Sequence, residues 1–115
     1  MQNRFRARGG SRNAVVGPVA AAAALLAAMA FPAAAQEELL KKYACLSCHA
    51  VDHKLVGPAY KDVADKYRGD KDAAQKLKQK VKRGGSGVWG QIPMPPNPTV
   101  PDADLVKMIT WVLSH

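Results

Sequence analysis

Apolar side chains recur at helical spacing in four separate stretches between residues 37 and 114. The clearest stretch covers residues 101–114, where one helix face is marked by Leu105, Met108, Ile109 and Val112. Shorter stretches with similar spacing cover residues 37–45, 60–67 and 72–83. No convincing strand pattern is found. The sequence therefore predicts an all-α domain of about four helices.

Local signals indicate which positions face inward and where two of the helices begin. In the second and third helices the predicted inward positions are Val63, Ala64, Ala73, Leu77 and Val81. Asp70 or Asp72 is expected to cap the third helix, because a short acidic side chain can accept from the first free N–H groups. Thr99 is expected to cap the fourth helix, with Pro101 in its first turn.

Residues 84–98 form a long segment that fits neither a helix nor a central strand. The segment holds four Gly and four Pro in 15 residues and has no charged side chain. It nevertheless carries apolar side chains that are costly to expose to water, namely Val88, Trp89, Ile92 and Met94. An irregular apolar loop of this length in so small a domain is usually functional.

The N-terminal residues 1–35 have the composition of a secretory signal peptide. They contain four Arg and no acidic residue, then a mostly alanine apolar run over residues 14–30, and end in small residues. Cleavage is expected after Ala35, which leaves a domain of residues 36–115 that is exported to the periplasm and not inserted in a membrane. The alternative is an uncleaved anchor, although the run is short and alanine is only weakly apolar.

The charge of residues 36–115 restricts the class of partner. This part has 13 Lys and Arg against nine Asp and Glu, a net charge of +4. Such a surface suits an acidic protein or an anionic membrane surface. It is too mildly basic for nucleic-acid binding. A domain of this size buries a limited core, so a large bound cofactor is expected to help fill it.

The string Cys45-Leu46-Ser47-Cys48-His49 carries the most specific chemical signal. Cys-x-x-Cys-His is the attachment motif for c-type haem, in which two thiols bond to the porphyrin and the histidine can bind its iron. A thiol–disulfide redox pair is one alternative, but it favours a βαβ setting. A zinc site is another, but zinc needs four ligands and only His53 and His115 remain in this part of the chain.

Four side chains compete for the sixth position on a haem iron. Met108 falls on the apolar face of the last helix, and His115 is the terminal residue. His53 follows His49 too closely in sequence to reach the other face of the porphyrin. Met94 has a proline on each side, which keeps its backbone extended in a stiff apolar loop. The pattern therefore favours Met94.

These motifs together resemble the bacterial cytochrome c-551/c8 group of class I cytochromes c, over essentially all of residues 36–115. The residues that carry the resemblance are 45–49, 56–64, 87–90, 92–97 and 111–114. It implies a small class I fold around one covalently attached haem c. It also implies thioether bonds from two cysteines and axial ligation by one His and one Met, at Cys45, Cys48, His49 and Met94.

The resemblance also implies roles for residues around the haem. The Pro58 carbonyl would accept from the far nitrogen of His49, and Asn97 would hydrogen-bond near the Met94 sulfur. Trp89 would donate to a haem propionate. Lys80 stands where relatives often have an Arg near a propionate, and a lysine is a point charge without the arginine fork.

The implied function is one-electron transfer by a monomer that is not an enzyme. Expected partners are a membrane cytochrome complex as donor and a terminal oxidase or nitrite reductase as acceptor. The exposed haem edge is expected near Leu46, Leu55, Val56, Ile92, Pro93, Pro95 and Pro96, with a rim of Lys41, Lys42, Lys54 and Lys61. Alternatives are a merely solvated lysine face, a sensor or enzyme with a labile Met94, and a non-haem thiol or metal protein.

Overall fold

A computed structural model describes residues 32–115, and most of the predicted signal segment 1–35 lies outside this part. The described chain folds into four α-helices, α1 (Ala33–Lys42), α2 (Tyr60–Lys66), α3 (Ala73–Arg83) and α4 (Asp102–Leu113). A single 3-10 turn, Cys45–Ser47, follows α1. No strand occurs in the described residues, apart from an isolated bridge between Gly85 and Met94. The predicted all-α fold is confirmed.

Helix α4 is the centre of the fold, since it packs against α1, α2 and α3. All four positions predicted for its inner face are buried, and Leu105 is fully inaccessible to solvent. Trp111 is buried as well. The core that results comprises Leu40, Tyr60, Val63, Leu77, Val100, Leu105, Met108, Ile109, Trp111 and Val112.

The helix ends follow local chemistry, with one correction to the prediction. Pro101, and not Thr99, is the N-cap of α4, because its carbonyl accepts from the backbone N–H groups of Asp104 and Leu105. Asp72 is the N-cap of α3 without a side-chain bond, while Asp70 accepts from the Asp72 N–H. Both predicted acids therefore lie at the start of α3.

Helix α1 begins earlier than predicted, at Ala33, and ends earlier, at Lys42 instead of Cys45, so it spans residues on both sides of Ala35. The three alanines at residues 33–35 are the strongest helix formers, so they extend the helix that the apolar spacing predicts from residue 37. The cleavage after Ala35 remains a prediction. Within residues 32–115, no helix combines the length and apolar character needed to cross a membrane.

Candidate haem-binding site

The Cys-x-x-Cys-His string lies on a tight turn directly after α1. Ala44 has the left-handed φ of 57°, which ends the run of helical backbone and starts the 3-10 turn. The Cys48 and His49 N–H groups both donate to the Cys45 carbonyl, at 3.2 and 3.0 Å. Both thiols are free and partly buried, and burial raises the pKa of the Cys45 thiol. The turn thus brings the two thiols and the imidazole to one surface.

The His49 ring is fixed by its neighbours in the loop that follows. Its Nδ1 lies 2.8 Å from the Pro58 carbonyl oxygen. A carbonyl can only accept, so Nδ1 carries the proton and the lone pair of Nε2 is free to bind a metal. Gly57 packs against the ring so closely that a Cβ at this position would lie 2.5 Å from His49 Cε1. The Tyr60 ring stacks on the imidazole with centroids 5.3 Å apart.

Residues 84–98, called here the Met94 loop, are attached to the end of α3. Gly85 and Met94 exchange two backbone hydrogen bonds of 2.9 and 3.0 Å. The Asn97 N–H donates to the Val81 carbonyl in α3 at 2.9 Å, and the Asn97 side-chain amide donates to the Pro95 carbonyl at 3.0 Å. The loop therefore has a defined shape around Met94 without any regular secondary structure.

One apolar cavity of about 270 Å³ brings most of the predicted residues together. It is called here the central cavity. Seven of the eight predicted site residues line it, namely Cys45, Cys48, His49, Pro58, Lys80, Trp89 and Met94. Core side chains of α3 and α4 also line it, including Leu77, Leu105 and Met108. Asn97 is not part of the wall and contacts the loop backbone instead.

Lysines lie at the edge of the central cavity. Lys80 and Lys54 both border it. The Lys66 ammonium lies 5.4 Å from the centre of the Trp89 ring, a cation–π contact that connects α2 to the Met94 loop. Lys41 and Lys42, predicted as rim lysines, instead form ion pairs with acids on α1 and α4. Of the predicted rim lysines, Lys54 therefore has the best-supported place beside the cavity.

Three residues at the site were not predicted from sequence. Gly57 and Tyr60 lie within a motif that carried the resemblance, but their contacts with His49 depend on how the loop folds back. Lys66 lies far from Trp89 in sequence, and nothing in its local pattern signals the contact. Only the tertiary packing brings these pairs together.

The alternatives to haem find little support in the described residues. A zinc site needs four ligands, and no group of three or more His, Cys, Asp or Glu side chains suited to a metal ion occurs within residues 32–115. The donor set of the central cavity fits haem better, because two free thiols, one imidazole with a free Nε2 and one thioether border an apolar space. These features define a small all-α c-type haem protein of class I.

The comparisons with known proteins agree with this class. The family model described as Cytochrome c matches residues 33–115. Cytochrome c-552 of Nitrosomonas europaea is 50% identical over 103 residues, which cover 90% of this chain and 97% of that protein. Cytochrome c-551 of Pseudomonas aeruginosa is 52% identical over 79 residues, which cover 69% of this chain and 75% of that protein.

Solved structures show the same similarity. The crystal structure of wild-type Nitrosomonas europaea cytochrome c552 matches with a TM-score of 0.65 and 54% identity, over 68% of this chain and 96% of that chain. The class 1 cytochrome MtoD from Sideroxydans lithotrophicus ES-1 matches with a TM-score of 0.62 and 33% identity, over 70% of this chain and 92% of that chain. The chain therefore belongs to the cytochrome c family and, within it, to the c-551/c-552 group. It is a monohaem electron carrier with one covalently attached haem c.

Proposed function

We propose that Cys45 and Cys48 attach the haem and that His49 and Met94 are the two axial ligands of its iron. The observation that carries this proposal is the central cavity, where two separate segments of the chain present these four side chains to one apolar space. The proton on Nδ1 of His49, held by the Pro58 carbonyl, supports it further, because the free Nε2 is then the metal-binding nitrogen.

Two ligands from the protein would favour electron transfer over catalysis. When bound, haem would supply a ferric/ferrous couple that can carry one electron. His49 and Met94 leave no open position for a substrate, and a soft thioether favours the ferrous state. The uncharged Met94 loop would also favour the ferrous state, since apolar surroundings disfavour the extra positive charge of the ferric state. We therefore propose a carrier of relatively high potential that is not an enzyme.

Three further residues are proposed to fix the haem and its ligands. Trp89 and Lys80 border the central cavity, where an indole N–H and an ammonium can both donate to a propionate. Asn97 is proposed to act beside Met94, and its side-chain bond to the Pro95 carbonyl suits this position.

The surface beside the central cavity is proposed to dock redox partners. Leu55, Val56 and Ile92 are exposed apolar side chains, and Val56, Ile92 and Lys54 border the central cavity. An apolar patch with a basic edge suits brief contact with an acidic protein. The proposed partners are a membrane cytochrome complex as donor and a terminal oxidase or nitrite reductase as acceptor. We place the carrier in the periplasm, as a monomer, after removal of residues 1–35.

The visible and near-infrared absorption spectrum of the periplasmically expressed protein tests the ligand assignment. A low-spin c-type spectrum with the weak ferric Met-to-iron band is expected, and Met94→Ala should abolish that band. Met108→Ala is the control, because Met108 is the other methionine that lines the central cavity, and its loss should leave the band in place if Met94 is the ligand. Rapid, full carbon monoxide binding by the reduced protein at neutral pH would contradict the carrier and support a ligand-binding role.

A further inference from the structure

Tyr60 carries a hydroxyl group with no hydrogen-bond partner in the interior of the domain. The Tyr60 side chain is 5% exposed, and its Oη is the one buried side-chain N or O atom without a partner among residues 32–115. By contrast, the Tyr43 hydroxyl donates to Asp104 at 2.6 Å. Buried tyrosine hydroxyls almost always have a partner, so the position of Tyr60 Oη requires an explanation.

Aromatic neighbours hold the Tyr60 ring at the wall of the central cavity. The His49 ring stacks on it with an interplanar angle of 18°. The Trp111 ring meets it edge-on, with centroids 5.8 Å apart. The backbone N–H of Tyr60 also donates to the Ala50 carbonyl at 2.9 Å. The side chain therefore cannot readily turn its hydroxyl to solvent, and Tyr60 is one of the residues that line the central cavity.

We propose that the Tyr60 hydroxyl donates a hydrogen bond to an acceptor on the haem, which makes Tyr60 a haem-binding residue. This rests on the proposed function, because it requires a haem in the central cavity. The haem offers two kinds of acceptor, a propionate carboxylate and the thioether sulfurs formed by Cys45 and Cys48. A carboxylate is the stronger acceptor and sulfur the weaker one.

Replacement of Tyr60 by Phe in the holoprotein distinguishes a hydroxyl that has a hydrogen-bond partner from one that has none. The two cases predict different changes in stability and in the haem resonances. If the hydroxyl binds the haem, the ratio of unfolded to folded protein in urea should rise about fivefold, the typical effect of losing one hydrogen bond. The haem methyl resonances should shift as well. If the hydroxyl has no partner, Tyr60→Phe should be as stable as the wild type or more stable, with unchanged haem resonances, and this result would overturn the proposal.

Tyr43→Phe is the matched control, since it removes a hydroxyl whose bond to Asp104 lies away from the central cavity. It should lower stability without any shift of the haem resonances. A loss of stability in Tyr60→Phe that likewise leaves the haem resonances unchanged would count against the proposal, because packing alone would explain it.

Proton NMR of the wild-type ferrous protein identifies the acceptor without any mutation. A slowly exchanging hydroxyl proton with nuclear Overhauser effects to a propionate methylene or to a thioether methyl would support the proposal and distinguish the two acceptors. A hydroxyl proton that contacts only water would overturn it. Failure of the axial-ligand assignment remains separately visible, because the absorption spectrum of Met94→Ala tests that assignment without involving the Tyr60 hydroxyl.

Discussion

The contact between Gly57 and His49 restricts the position of the imidazole ring. A Cβ on Gly57 would lie 2.5 Å from Cε1, 2.8 Å from Nδ1 and 3.0 Å from Nε2 of the imidazole. The ring cannot retreat freely, because Tyr60 stacks on it and the Pro58 carbonyl holds its Nδ1. Glycine is therefore needed here for space.

We expect Gly57→Ala to displace the His49 ring and to weaken its bond to the Pro58 carbonyl. Overpacking of this kind costs about 1–3 kcal/mol, so the urea midpoint of the holoprotein should fall. The ferric absorption spectrum should change in parallel. Gly69→Ala is the control, because its added Cβ meets nothing within 4 Å and should leave the spectrum unchanged despite the backbone cost of a φ of 79°. Equal spectra for both variants would contradict this account.

At the scale of elements, the position of the Met94 loop depends on Gly84, the residue that directly follows α3. Gly84 has a φ of 66°, and a Cβ there would collide with the Met94 carbonyl oxygen and lie 2.8 Å from Pro96 N. These are backbone atoms, so no side-chain rotation can relieve the contact. The end of α3 and the position of Met94 are thus determined together.

Gly84→Ala is accordingly expected to shift the loop and to weaken or abolish the Met-to-iron band of the ferric protein. Gly90→Ala is a matched control in the same loop, since Gly90 also has a positive φ, of 115°, but open space where its Cβ would lie. It should lose about 1–3 kcal/mol of stability from backbone strain and keep the band. A full-strength band in Gly84→Ala would show that Met94 does not depend on this contact.

Helices α3 and α4 are joined by a charged bridge whose strength depends on pH. The Asp102 carboxylate lies 2.5 Å from Lys78 Nζ and 2.7 Å from Lys82 Nζ. Hydrogen bonds from Lys78 and then Lys82 lower the pKa of Asp102 to about 2. A lowered pKa stabilises the folded state above the pKa of the unfolded chain, about 3.9, and this gain is lost as the pH falls through the folded value.

Asp102→Asn should therefore be less stable than the wild type at neutral pH, and the two should become equal as the pH falls below about 2. Because the bridge is solvent-exposed, the difference should be small and should shrink further as salt is added. Urea unfolding across a pH series measures this. A difference that stays constant from pH 7 to pH 2 would assign the effect to something other than the charge of Asp102.

The sequence pattern predicted the elements better than it predicted their contacts. Helices α2, α3 and α4 begin and end within one residue of the prediction, because apolar spacing, glycine and proline act locally. The pattern also located the Cys-x-x-Cys-His string and Met94. It could not predict the packing of Gly57 on His49 or of Lys66 on Trp89, because those contacts arise only after the loops fold back.

On the scale of the whole molecule, Lys54 stands beside the apolar patch and forms no ion pair within residues 32–115. Its charge is thus available to attract an acidic partner over a distance set by ionic strength. Lys76 offers a contrast, since it is paired with Asp70 at 2.6 Å and lies outside the wall of the central cavity.

We expect Lys54→Gln to slow association with an acidic redox protein about two- to threefold at low ionic strength. The difference from the wild type should vanish at high salt, and Lys76→Gln should change the rate much less. Stopped-flow kinetics at several salt concentrations test this. Rates that are independent of salt for all proteins would mean that the lysines are only a solvated face.

The aromatic rings that surround the site also give the molecule a built-in optical reporter. Trp89 borders the central cavity, and Trp111 is separated from His49 only by the Tyr60 ring. A haem in the central cavity would lie near both indoles and accept their excitation energy, so the folded protein should emit little tryptophan fluorescence. Unfolding separates the indoles from the haem and restores the emission. Folding of the holoprotein can thus be followed as a loss of tryptophan emission, without an attached dye.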